Sequence, residues 1–186
     1  MKRLFLIDAY ALVFKYYYAF FGRPMRNRAG MNTSILFGFT KFLRDIQKRE
    51  KPDLLGVAFD PKGGSFRREL YPEYKANRSE TPEDIILSLP YVKRVLEAMC
   101  IPILEVAGFE ADDVIGTLAM KGAEAGYEVY MVTPDKDYGQ LVRENCKIYK
   151  QKGSEGQIEV VDREAIREKY GIDDPQLVRD ILAIWG

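Results

Sequence analysis

The sequence predicts an α/β fold, a mostly parallel central sheet flanked by helices, and three observations predict it. Short apolar runs alternate with stretches of helical periodicity. Three of those runs close on an aspartate, Asp8, Asp60 and Asp135, as strand ends do when they open onto a ligand crevice. No repeat, low-complexity tract or linker interrupts the 186 residues, so 1–186 reads as one domain long enough for a sizeable core.

The elements follow in order. Leu4-Phe5-Leu6-Ile7 reads as a buried strand ending at Asp8. Ile35, Phe39, Phe42, Leu43 and Ile46 recur at helical spacing until Lys51-Pro52 stops them. The run 54–59 is a second buried strand, ending at Asp60. Residues 61–82 hold three prolines, two glycines and no core pattern, so they read as a long loop, which in a compact domain is functional or disordered. Thr81 reads as the cap of a helix with Pro82 in its first position and Glu83 and Asp84 in its first turn. That helix carries Ile85, Leu89, Val92, Leu96 and Met99 on one face. Residues 101–104 are a third strand. A helix opens near Ala111, turns Val114, Ile115 and Leu118 inward, and closes at Gly122 and Gly126. Residues 129–132 are a fourth strand, followed by a short helix, a hairpin around 152–156 and helices near 163–170 and 175–185. The dense aromatics Phe14, Tyr16, Tyr17, Tyr18, Phe20 and Phe21 read mostly as core.

Composition excludes several chemistries. There is no histidine, so serine–histidine triads, histidine bases and almost every zinc site are ruled out. Two cysteines give no disulfide framework and point to a reducing cytoplasm. No apolar run is long enough to span a membrane. Net charge is zero, yet residues 1–80 carry 16 Lys+Arg against 8 Asp+Glu, and residues 81–186 carry 12 against 20. Such asymmetry fits a polyanion partner.

The acids are the main chemical signal. Asp8, Asp60 and Asp135 at strand ends, with Glu110, Asp112, Asp113 and Asp137, would gather seven carboxylates at one rim of a parallel sheet. Taken singly, each reads as a helix cap, a dipole partner or a strand-end turn. Taken together they need a compensating cation, because like charges raise one another's pKa. All-oxygen ligation selects Mg²⁺ or Mn²⁺, and metal pairs so held perform displacement at phosphorus. The loop adds Lys62, Arg67, Arg68, Lys75 and Arg78 interleaved with Phe66, Tyr71 and Tyr74, which suits phosphates and stacked bases as well as a solvated loop.

Four segments, LFLIDAYALVFKYYYA (4–19), VAFDPKGGSFRRELYPEYKANRSETPED (57–84), GFEADDVIGTLA (108–119) and TPDKDYGQLV (133–142), resemble the 5′-nuclease domains of bacterial DNA polymerases I. That is the flap-endonuclease and 5′–3′ exonuclease family, with a PIN-like core. The resemblance covers essentially the whole chain. It implies a structure-specific nuclease that hydrolyses DNA with 5′ flaps or ends by two-metal catalysis, in a bacterial cytoplasm, as a monomer within a replication and repair enzyme. It implies a first metal held by Asp8, Asp60, Glu110 and Asp112 with Asp113 nearby, and a second toward Asp135 and Asp137. Lys75 and Arg78 match basic residues that contact the scissile phosphate from a helical arch formed by 61–82. Lys15, Lys62, Arg67, Arg68 and Tyr74 would join them on DNA.

Lys15 stands where many relatives carry arginine, and Pro134 where glycine is common. The family continues past a glycine like Gly186 into an Asp-x-x-Asp-Asn segment and a helix-hairpin-helix. The expectation is therefore a fragment with an incomplete second metal site and weak cleavage. Three other readings compete. A haloacid-dehalogenase-type phosphotransferase needs an aspartate where Tyr10 stands. A PIN-type ribonuclease shares the acids but not the basic insert. A non-catalytic DNA-binding piece would take up no metal.

Overall fold

A buried apolar strand, β1 (Arg3–Asp8), sits inside the six-stranded sheet of the computed structural model, which describes residues 1–77, 79–152 and 157–185. Its companions are β2 (Leu54–Ala58), β3 (Ile103–Leu104), β4 (Glu128–Val132), β5 (Cys146–Lys152) and β6 (Gln157–Val161), in the order β3-β2-β1-β4-β5-β6. The helices are α1 (Ala9–Ala19), α2 (Ser34–Arg49), α3 (Phe66–Leu70), α4 (Glu83–Ala98), α5 (Ala111–Glu124), α6 (Arg163–Tyr170) and α7 (Val178–Trp185). Two 3₁₀ helices, Lys136–Leu141 and Pro175–Leu177, complete the described residues. Arg78, the hairpin turn at 153–156 and Gly186 lie outside them.

The chain divides into two compact units. The first comprises Met1–Asp8, Pro52–Gly56 and the residues from Asp112 on. Here β1 pairs in parallel with β4, from Arg3 opposite Glu128 to Ile7 opposite Val132. β4 pairs in parallel with β5, and β6 returns antiparallel. The rings of Phe5 and Tyr130 stack at 4.7 Å, with Tyr149 edge-on to Phe5 at 5.4 Å.

α5 buries Val114, Ile115 and Ala119. The sequence reading placed Gly122 at this helix's end; it lies inside α5, and the helix stops only at Glu124. The reason is packing: a Cβ at Gly122 would stand 2.7 Å from Leu4 Cδ2 and 3.2 Å from Val129 Cγ2. Gly126, at φ 82°, follows the helix as expected, and Asn145 closes it from outside by donating to the carbonyls of Ala123 and Tyr127. Gly122→Ala should therefore destabilise by about 1 kcal/mol despite the helix propensity gained, because the Leu4 methyl must swing away. Urea denaturation checks this, and a stabilised variant contradicts it.

The second unit comprises Ala9–Lys51 and Val57–Ala111. β2 and β3 pair in parallel there, through Val57 and Ile103. Ile35, Phe39, Phe42, Leu43 and Ile46 of α2 are buried, as are Ile85, Val92 and Leu96 of α4 and Leu12 and Val13 of α1. Close approach requires a glycine at 38, where any Cβ would enter the ring of Tyr16. That ring is half-buried, and burial, then the charge of Asp45, pushes the Tyr16 hydroxyl up to about 12.

Three expectations are corrected in this unit. Thr81 does not cap α4; Pro82 occupies that position without a side-chain cap. Asp84 is engaged instead, its carboxylate accepting from Asn32 Nδ2 at 2.9 Å and its carbonyl from Ser88 Oγ at 2.7 Å. The segment 61–82 is not wholly irregular, because α3 forms within it. The aromatics of residues 14–21 are not fully buried either: Phe14, Tyr16, Tyr17 and Phe20 are half-buried, and Tyr18 and Phe21 are exposed. α1 buries Ala9, Leu12 and Val13, while Tyr10, Phe14 and Tyr18 stack on one another along its side, and Tyr18 and Phe21 stay about two-thirds exposed. Both cysteines are free, and among the described residues no helix is long and apolar enough to cross a membrane.

Candidate functional site

In the first unit the acids are set by the ends of β1 and β4 and by the first turn of α5. Asp8 is the last residue of β1. Beyond β4, Thr133 is buried and its hydroxyl donates to Asp8 Oδ2 at 3.4 Å, while accepting from the backbone N–H of Asp135 at 3.2 Å. Asp135 caps the 3₁₀ helix Lys136–Leu141 by accepting from Asp137 N at 2.9 Å, so the cap role open to it from sequence is real. Asp137 itself is exposed.

Asp112 and Asp113 lie in the first turn of α5, where backbone N–H groups favour negative charge. Asp112 is exposed, yet Tyr138 Oη donates to its Oδ1 at 2.7 Å. Tyr138 is the residue that sequence reasoning missed. It is buried, and its hydroxyl is driven strongly upward, first by burial and then by the charges of Asp112, Asp8 and Asp135. Three carboxylates from separated parts of the chain thus project their field onto one phenol. Nothing in the sequence links positions 112 and 138, so only the fold reveals the pair.

In the second unit, Asp60 follows β2 and accepts from the N–H of Ala111 at 2.7 Å, capping the start of α5 from fifty-one positions away. Glu110 is the hub of the basic segment. It accepts from Lys75 Nζ at 3.0 Å, Ser65 Oγ at 3.1 Å and Tyr74 Oη at 3.1 Å, with Arg67 Nη1 at 3.6 Å. The segment is docked by Phe66 N donating to Gly108 O at 2.9 Å and by the Phe66 and Phe109 rings at 5.6 Å. Arg67 lies over Phe66, and Lys75 over Tyr74. Lys75 takes a left-handed backbone, φ 58°, a strained conformation for a residue with a side chain.

The remaining basic candidates are separate. Lys62 and Arg68 are exposed, and Lys15 is half-buried on α1, its ammonium lowered by burial. Arg78 is outside the described residues.

Burial works against the charge of Glu110. The hydrogen bond and charge of Lys75, with Ser65 and Tyr74, outweigh it and hold the carboxyl below its ordinary value of 4.5. A carboxylate lowered on folding adds stability above its unfolded pKa and loses it as pH falls through the folded one. The contact should therefore hold segment 61–77 at pH 7 and release it under acid. Lys75→Met should raise the rate of limited proteolysis in 61–77 several-fold at pH 7, a loss of about 1 kcal/mol, and flatten its dependence on acid. Equal cleavage of variant and wild type at pH 7 contradicts this.

Among the described residues no group of three or more Asp, Glu or Cys side chains is gathered to ligating distance. The acids Asp8, Asp60, Glu110, Asp112 and Asp135 are instead each engaged by protein donors or cap a turn, and their donor chemistry is that of hard oxygen. That chemistry suits a divalent cation of the Mg²⁺ type.

Comparison with known proteins identifies the family of the chain. The family described as "5'-3' exonuclease, N-terminal resolvase-like domain" matches residues 3–171. DNA polymerase I of Synechocystis is 38% identical over 98% of this chain, which corresponds to 19% of that protein. A 5'-3' exonuclease of Aquifex aeolicus is 34% identical over 100% of the chain and 62% of its own length. The chain thus spans about a fifth of the polymerase relatives it matches. Among solved structures, the bacteriophage T5 flap endonuclease in a pseudo-enzyme-product complex with DNA and metal ions superposes with a TM-score of 0.70. It shares 18% identity over 100% of this chain and 66% of its own. At that identity the likeness is one of fold.

Proposed function

This chain belongs to the 5'-3' exonuclease family, and from that premise we propose that it is a metal-dependent nuclease hydrolysing phosphodiester bonds of DNA with 5′ flaps or single-stranded 5′ ends. The reading includes a monomer acting in a bacterial cytoplasm, as the nuclease part of a polymerase-I-like replication and repair enzyme. Mg²⁺ or Mn²⁺ is the cofactor, two ions in the intact family with the second site incomplete in this chain. Asp8, Asp112, Asp113, Asp135 and Asp137 of the first unit are its candidate ligands, and Asp60 and Glu110 are those of the second. When bound, such an ion activates water and supports the leaving oxygen.

The observation that carries this reading is geometric: Tyr138 Oη donates to Asp112 at 2.7 Å, while Thr133 donates to Asp8 and accepts from the N–H of Asp135. Carboxylates set on neighbouring elements in this way favour a cation that offsets their charge. The chain's own residues supply the rest. Thr133 and Tyr138 hold carboxylates in place, and Lys75, Arg78, Arg67, Arg68, Lys62 and Lys15 neutralise phosphates, with Tyr74 offering a ring to a base. Lys75 reaches a phosphate by exchanging the Glu110 carboxylate for it.

Steady-state assays on a 5′-flap DNA with Mg²⁺, with EDTA, and on the matching RNA test the proposal. Cleavage of the flap that EDTA removes is expected. Cleavage that persists in EDTA, or is confined to RNA, overturns it.

A further inference from the structure

We infer that the Glu110 carboxylate is an internal stand-in for a phosphate group, seated in an oxyanion cradle of Ser65, Arg67, Tyr74 and Lys75. A phosphate of the nucleic acid takes that seat by displacing it. The inference rests on the nuclease reading above and adds to it a competitor built into the chain.

Donors from one short segment of the second unit converge on this carboxylate. Ser65 Oγ donates to Oε1 at 3.1 Å, while Tyr74 Oη and Lys75 Nζ donate to Oε2 at 3.1 and 3.0 Å. Arg67 Nη1 stands 3.6 Å from the same Oε2. Two hydroxyls and two cations set around a pair of oxygens are a donor set suited to phosphate as well as to carboxylate. A carboxylate brings two oxygens and one charge. A terminal phosphate brings three acceptor oxygens and about −1.5 to −2 charge at pH 7, so it draws more from the same donors.

The backbone of the cradle is shaped by contacts other than those of the carboxylate. Ser65 is buried and forms a parallel bridge with Gly108, and Phe66 N donates to Gly108 O at 2.9 Å. From there the turns follow one another: Arg68 N on Ser65 O, Tyr71 N on Arg67 O, Tyr74 N on Tyr71 O and Ala76 N on Glu73 O. Donors ordered in advance lose less freedom when a ligand arrives. The left-handed backbone of Lys75, φ 58°, is of the kind kept at ligand clamps. The side chains of Lys75 and Arg67 are 25% and 31% exposed, against 12% for Glu110, so an anion can approach from solvent. While Glu110 fills the cradle, the apparent affinity for phosphate falls with the fraction of molecules left open.

Fluorescence anisotropy in EDTA tests this, using one single-stranded DNA in 5′-phosphorylated and 5′-hydroxyl forms. Glu110→Gln removes the competing charge, and affinity should rise about tenfold. Adding Lys75→Met should cancel that rise. Glu69→Gln takes one negative charge from the same segment outside the cradle, and should leave affinity within about twofold of wild type. A rise for the phosphorylated form alone makes the ligand a terminal phosphate, and a rise for both forms makes it an internal one. No rise in Glu110→Gln, an equal rise in Glu69→Gln, or a rise that survives Lys75→Met overturns the inference and leaves the nuclease reading to its flap assay. Absence of DNA binding by every form overturns both. A second measurement needs no variant: the carboxyl carbon resonance of Glu110 should shift in the NMR spectrum as the DNA is added. A resonance that stays fixed while the DNA binds also overturns the inference.

Discussion

Replacing Asp8 by asparagine is expected to reduce metal-dependent flap cleavage by at least about a thousandfold, roughly 4 kcal/mol of transition-state stabilisation, while leaving the fold more stable, not less. The two halves of that expectation have one cause. Asp8 ends a strand whose Phe5, Leu6 and Ile7 are buried, accepts from Thr133, and with Asp112 and Asp135 raises the Tyr138 hydroxyl. Without a cation this is an arrangement of like charges, and removing one relieves repulsion. Asparagine keeps the oxygen that Thr133 donates to, so no buried donor is orphaned. A gain of about 1 kcal/mol in the metal-free chain is expected, as commonly follows when a functional carboxylate is neutralised. A structural aspartate behaves oppositely: its loss lowers stability and leaves cleavage alone. Denaturation in EDTA beside flap cleavage in Mg²⁺ separates the two, and a destabilised but active variant would falsify the functional assignment.

Gly38→Ala is the largest expected effect on stability. In most helix interiors this exchange stabilises by about 1 kcal/mol, because glycine is a poor helix former. Here the added methyl would overlap Cγ and Cδ1 of Tyr16 and stand 2.9 Å from Cε1. Cγ is the root of the ring, so no small rotation at its tip relieves the clash. Tyr16 is half-buried on α1 with its ring against Gly38, and α1 and α2 must separate to admit the methyl. The expected net loss is about 2–3 kcal/mol, or roughly 5–10 °C in melting temperature. The paired exchange Tyr16→Leu should recover part of it, because it removes the obstructing ring atoms. Equal melting temperatures for Gly38→Ala and wild type would refute this account.

Elements with one strong pattern were legible before any coordinates. The run around Phe5 and Ile7, the α2 stripe from Ile35 to Ile46 and the α4 face from Ile85 to Leu96 are where the periodicity placed them, because burial alone decides those positions. The misreadings share a different cause: competition between a local signal and a distant partner. Thr81 is a good cap residue, but Pro82 takes the cap position, and Asp84 is held by Asn32 from fifty-two positions away. Gly122 looks like a helix terminator and is there instead so that Leu4 and Val129 can approach. The aromatics at 10, 14 and 18 have core spacing, yet they satisfy one another on the side of α1 while smaller residues face inward. Within the site, the acid residues were visible as types at strand ends. Their partners were not: Asp60 on Ala111 N, Lys75 on Glu110 and Tyr138 on Asp112 each join segments that no local pattern connects.

The register of β1 against β4 sets a timetable for synthesis. Arg3 pairs with Glu128, 125 positions later. At a ribosomal pace of 5–20 residues per second, the first strand waits roughly 6–25 s for the neighbour that buries it. Throughout that interval Phe5, Leu6 and Ile7, fully enclosed in the finished protein, have no β4 to lie against. Slowing translation ahead of codon 128 should lengthen that interval without altering the folded product.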